Sequence, residues 1–197
     1  NYPVKIKATF LGAHAVPPEF KENQEGFVDE ICNVMIPEIA RLKLADYVDA
    51  FLETGYFTVD QTRKIIQAAT AHGLKSKIHL NQFTAIDGIQ MCVEEHVLSV
   101  DHLEVVTNED IEALKQGSTI PVALPTCSYF ISIPYTPARK LLDANLPLVI
   151  ASDYNPGTTP SGNMNFVVAT ACIKMKLTPE EALNAATLNA AYALEVE

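Results

Sequence analysis

Three histidines and one aspartate stand where chemistry could be done. They fall in Gly12-Ala13-His14, Ile78-His79-Leu80-Asn81-Gln82, Asp101-His102 and Ser152-Asp153-Tyr154-Asn155-Pro156-Gly157-Thr158, each at the end of a short apolar run. Neutral imidazole and carboxylate are the donors that suit zinc or iron. Both groups also move protons near neutral pH. A lone His or Asp at such a place is more often a hydrogen-bonded structural group. The set gains meaning only if the runs that carry it end on one face of the molecule. The other two histidines, His72 and His96, end helices, where a cation meets the negative end of the helix dipole.

The elements that would position these residues alternate regularly. Strands are expected over residues 4–11, 47–52, 75–80, 98–104, 120–124 and 146–152. Helices are expected over 28–42, 58–72, 85–96, 108–117, 136–144, 163–175 and 179–194. Thr58-Val59-Asp60-Gln61 is a capping-box start, Gly73 a stop, and Thr178-Pro179 an N-cap followed by proline at the first helical position. Continuous apolar strands such as Leu146-Pro147-Leu148-Val149-Ile150-Ala151 suit a parallel sheet covered on both faces. Six βα units fit either a doubly wound sheet or a (β/α)₈ barrel. No glycine-rich phosphate loop follows the first strand, which weakens the nucleotide-binding version. In a barrel all the polar ends above converge on one mouth.

Composition narrows the partners. The 197 residues carry 14 Lys+Arg against 24 Asp+Glu, a formal charge of −10. Nucleic acid and anionic membrane surfaces want clustered cations, so neither is an expected partner. No apolar run approaches the roughly 18 residues of a membrane span, and no signal peptide stands within these residues. The four cysteines form no CxxC pair and fit a reducing, cytoplasmic setting. Cys127 could line a pocket after the fifth strand, but no base stands beside it in the sequence.

Several segments resemble imidazolonepropionase motifs. They are Phe10-Leu11-Gly12-Ala13-His14-Ala15-Val16-Pro17, Lys77-Ile78-His79, Ser99-Val100-Asp101-His102-Leu103 and Ala151-Ser152-Asp153-Tyr154-Asn155-Pro156-Gly157. The stretch from Met175 to Thr187 completes the set. The resemblance implies a metal-dependent amidohydrolase with an α/β fold, a partial (β/α)₈ TIM barrel holding strands three to eight. Residues 1–197 would form one such domain, incomplete on its N-terminal side. It implies one zinc or iron ion, with His79 and Asp153 as ligands. Asp153 and His102 would be catalytic. His14, Gln82, Asn155, Gly157 and Thr158 would contact the substrate.

The implied reaction is hydrolysis of the cyclic amide of 4-imidazolone-5-propanoate to N-formimidoyl-L-glutamate, in histidine degradation. The substrate is a small molecule, and a homodimer is an open option. The superfamily's first-strand His-x-His pair is absent from this sequence, so the 197 residues alone are expected to be inactive. The competing readings are another amidohydrolase, such as a deaminase or another cyclic-amide hydrolase, and a non-catalytic barrel piece.

Overall fold

Six parallel strands lie side by side in chain order, each returning to the next through helix. The computed structural model describes residues 4–196. The strands are β1 (Thr9–Ala13), β2 (Tyr47–Leu52), β3 (Lys75–Leu80), β4 (Ser99–His102), β5 (Ile120–Ala123) and β6 (Val149–Ile150). The helices are α1 (Gln24–Glu30), α2 (Ile36–Leu42), α3 (Val59–Ala71), α4 (Ile89–Glu94), α5 (Asn108–Leu114), α6 (Pro125–Ile131), α7 (Ala138–Asp143), α8 (Met164–Met175), α9 (Pro179–Ala186) and α10 (Leu188–Ala193). Strand order that follows chain order, with a helix after each strand, is the winding of a barrel wall rather than of a doubly wound sheet.

Strand side chains pack into two cores, and β5 and β6 contribute to both. Val48, Ala50, Leu52, Ile78, Leu80 and Val100 are fully buried among the helices in the larger core. Ile120, Val122, Leu124, Cys127 and Val149 form a smaller cluster, joined by Ala193 from α10. At the end where the strands begin, Tyr47 Oη donates to the Leu194 carbonyl at 3.0 Å. Lys77 Nζ reaches the Ala193 carbonyl, so the chain's last helix packs under the strands. The opposite end is left for the polar residues.

Several elements follow their local signals closely. α3 has the full reciprocal capping box of Thr58 and Gln61, and α5 has one from Thr107 and Asp110. α9 starts with the Thr178–Glu181 box. Other expectations move. The first strand begins at Thr9 rather than Val4, because its start is set by pairing with β2, and Val4 and Ile6 lie exposed. The helix of residues 24–42 widens into a π-turn over Ile31–Met35. Pro37 has no N–H to offer and its ring crowds the carbonyl one turn back, so Ile36 bonds five residues back to Ile31 instead. The expected single helix over 179–194 breaks at Thr187, whose φ of −125° and ψ of −79° are not helical. The segment after β5, where the sequence marks no element, is helix α6 with Pro125 in its first turn.

Gly88 shows how tightly the wall is packed. A Cβ there would lie 2.4 Å from Leu52 Cδ2 and 3.2 Å from Leu80 Cδ1, both on fully buried strand residues. Gly88→Ala is therefore expected to cost about 1–3 kcal/mol through overpacking. A urea denaturation midpoint equal to that of the parent chain would contradict this.

Candidate active site

Parallel strands end together, and here the ends carry His14, His79, Gln82, His102 and Asp153. With Leu11, Phe51, Tyr154, Asn155 and Thr158 these residues line one cavity of about 420 Å³. Of the sequence-derived candidates, Gly157 is the one set aside from that lining. It is exposed, and its N–H is spent on Asn155 Oδ1 at 2.9 Å.

Backbone geometry explains how the side chains reach the mouth. Four non-glycine residues at or just after the strand ends have positive φ: Asn81 (55°), His102 (84°), Leu103 (62°) and Asp153 (51°). Such conformations cost about 1–3 kcal/mol each and persist only where the surroundings enforce them. The register pairs His102 with Leu80, a residue that faces the helices. Simple alternation would send His102 the same way. Its left-handed backbone turns the ring into the cavity instead, and the Thr136 hydroxyl holds the His102 carbonyl at 2.6 Å. Asn81 is turned outwards, where its amide donates to Asp110 Oδ2 at 3.3 Å, and Gln82 takes the inward place.

Beneath the mouth lies a buried carboxylate the sequence reading passed over. Asp49 pairs with Lys77 in register while His79 pairs with Phe51, so Asp49 sits one layer deeper than His79. Its Oδ2 is 2.7 Å from His79 Nδ1 and 3.5 Å from His14 Nε2. Burial opposes ionisation of Asp49, but the two imidazoles outweigh it and hold its pKa well below the ordinary carboxylate range. Burial likewise opposes the charged form of His79. Asp49, with Asp101 and Asp153 further off, overrides it and lifts His79 to about 9. The signal was a lone acid inside the apolar strand Tyr47-Val48-Asp49-Ala50-Phe51-Leu52, on the same face as Tyr47 and Phe51.

This cluster fits a metal ion. His14, Asp49 and His79 offer ligand atoms within 4.8 Å of one another. His14 Nε2 and His79 Nδ1 are buried without a properly directed hydrogen bond, despite the short approach to Asp49. Two imidazoles and a carboxylate are a zinc or iron donor set. Asp49 also suits a supporting role, since a histidine that binds a metal commonly gives its other ring N–H to a carboxylate. His79 belongs to both arrangements, and Asp153 stands near enough to influence its charge.

The loop after β6 is held from within. Asn155 Nδ2 donates to the Asp153 carbonyl at 2.8 Å and to Thr158 Oγ1 at 2.7 Å. Its Oδ1 accepts from the N–H groups of Gly157 and Thr158. All four hydrogen-bonding positions of the amide are thereby engaged in shaping the loop. Thr158 Oγ1 in turn donates to Asp153 Oδ2 at 3.3 Å.

Cys127 sits in the first turn of α6, fully buried and outside the cavity lining, with Gln82 Nε2 3.7 Å from its sulfur. Burial, with Asp153 nearby, pushes its thiol up to about 12. A thiol so held is not a nucleophile at neutral pH.

Comparisons with known proteins bear on the family and the fold. No family model matches the chain. An imidazolonepropionase of Flavobacterium psychrophilum is 70% identical over 196 residues, 100% of this chain and 48% of that protein. One of Thermoanaerobacter pseudethanolicus is 44% identical over 98% of this chain and 46% of its own length. Among solved structures, an adenosine deaminase from Xanthomonas campestris with bound zinc superposes with a TM-score of 0.67 at 16% identity, over 82% of this chain and 43% of that one. An amidohydrolase from a Sargasso Sea sample superposes at 0.66, over 94% and 46%. The sequence family of the chain is that of the imidazolonepropionases, about half of whose length it spans, and its fold is six strands of an amidohydrolase barrel.

Proposed function

We propose that this chain supplies part of the active site of a cyclic-amide hydrolase acting on 4-imidazolone-5-propanoate, with N-formimidoyl-L-glutamate as product. The observation that carries the reading is the single cavity in which His14, His79, Gln82, His102 and Asp153 meet. The 70% identity to an imidazolonepropionase supports the choice of ring.

One zinc or iron ion would be held by His79 and Asp153, with Asp49 bracing His79 from below. A bound ion of this kind brings the pKa of a water molecule down towards neutrality. Asp153 takes the proton released as water adds to the ring carbonyl and returns it to the departing ring nitrogen. His102 faces the carbonyl oxygen and steadies the negative charge that develops there. Gln82 cannot act as a base and orients the ring by hydrogen bonds. His14 and Thr158 border the substrate, while Asn155 and Gly157 keep the loop in shape. A second metal reading has its own observation. His14, Asp49 and His79 converge closely enough to hold the ion themselves.

Eight strands close such a barrel, and the relatives' greater length leaves room for two beyond these six. The edges of β1 and β6 would then be covered rather than exposed. A small-molecule substrate and a cytoplasmic setting go with this reading. Its support is the formal charge of −10 and the four free cysteines. No helix among the described residues is long and apolar enough to cross a membrane.

The test is dependence on metal. Purified protein carrying this chain should lose ring opening on exhaustive chelation and regain it with added zinc or iron. Full turnover in a preparation shown by elemental analysis to be metal-free would contradict the reading.

A further inference from the structure

Behind His102 lies a buried polar chain to which the proposed chemistry assigns no part. Glu104 is 6% exposed, with its carboxyl group inside the protein. Its Oε1 accepts from Ser128 Oγ at 2.9 Å and lies 3.4 Å from His102 Nδ1. Its Oε2 is buried without a partner. A buried acid carries a large desolvation cost, and this one is only half repaid by hydrogen bonds. Ser128 donates to the acid rather than to an imidazole, so the trio lacks the base-to-hydroxyl contact of a serine nucleophile.

We infer that Glu104 is a positioning residue that fixes the tautomer and orientation of His102. The ring needs such a partner. His102 sits on a strained backbone, is tied through its carbonyl to Thr136, and meets His79 edge-on with ring centroids 5.1 Å apart. These contacts place the ring but leave its two nitrogens undistinguished. Glu104, acting only as an acceptor towards Nδ1, holds the proton on that nitrogen. Nε2 is then the nitrogen turned to the cavity that His102 lines, and steadying the oxyanion requires a proton on it too, donated to that oxygen while Glu104 accepts from Nδ1. Ser128 fixes the carboxyl group from the far side, so that both ends of the contact are anchored. This inference rests on the proposed role of His102, but its first readout needs no substrate.

That readout is the nitrogen-15 spectrum of histidine-labelled protein. His102 is expected to carry its proton on Nδ1 in the parent, and to lose it from Nδ1 in Glu104→Leu. Glu104→Gln keeps an acceptor oxygen at the same place and is expected to retain the parent pattern. A bare Nδ1 in the parent overturns the inference, as does an unchanged pattern in Glu104→Leu. If Glu104→Leu does not fold, the parent and Glu104→Gln spectra still decide it. In turnover, Glu104→Leu should lower kcat by about 10- to 100-fold with KM little changed, and Glu104→Gln should recover most of it. Equal losses in both variants would overturn the positioning role. Should the protein prove to act on a different cyclic amide, the substrate reading fails while the spectrum still judges Glu104.

Discussion

Replacing Asp153 with asparagine is expected to lower kcat for imidazolone hydrolysis by about 10²- to 10⁴-fold, the usual contribution of a positioned proton-transfer group. The substitution keeps the shape and the oxygen that receives the Thr158 hydroxyl, so the loop should survive. It removes the carboxylate that the proposed chemistry needs to take a proton from water and return it to nitrogen, and it weakens the proposed hold on the ion. Asp153 is half-buried, lines the cavity and stands on a left-handed backbone that only its surroundings enforce. Steady-state kinetics should show the loss in kcat, with an unfolding midpoint close to that of the parent. Activity within a fewfold of the parent would remove Asp153 from the proton path.

A pH dependence of stability follows from the Asp49–His79 pair in metal-free protein. His79 titrates near 9 in the folded chain against about 6.5 when unfolded. Its raised pKa means that the folded state binds the proton more tightly than the unfolded chain does. The stabilisation is fully present below pH 6.5 and is lost as pH rises through 9, a change of about 3 kcal/mol. Asp49 shifts the other way, so its share is present above its ordinary carboxylate pKa and is lost as pH falls below that. The two shifts describe one interaction and count once. Urea midpoints in chelator should therefore fall between pH 6.5 and 9. Asp49→Asn should remove most of that slope, because burial, which opposes the charged form of His79, is then met only by the more distant Asp101 and Asp153. A parent midpoint that is flat across this window would contradict the pairing.

The fold was legible wherever local signals and burial agreed. β2 and β3 match their expected ranges because apolar residues and clear starts coincide, and α3 because its capping box does. The errors arise where tertiary contacts decide. Pairing with β2 sets where β1 begins, and packing breaks the last helix at Thr187. The candidate site was legible as far as its residues stand at strand ends, since barrel topology sends all such ends to one mouth. Asp49 and Glu104 were not found that way. One lies a layer below the mouth and the other beyond a strained turn, where neither alternation nor motif marks a partner.

The account turns on where a metal ion sits, and anomalous diffraction from zinc-loaded crystals of protein carrying this chain measures it directly. The expected map has one peak within coordinating distance of His79 and Asp153, with Asp49 behind the imidazole. A peak held by His14, Asp49 and His79 would move the ion one layer deeper and free Asp153 from ligation. A peak away from His79, or none at saturating zinc, would contradict the claim that this strand mouth is a metal hydrolase site.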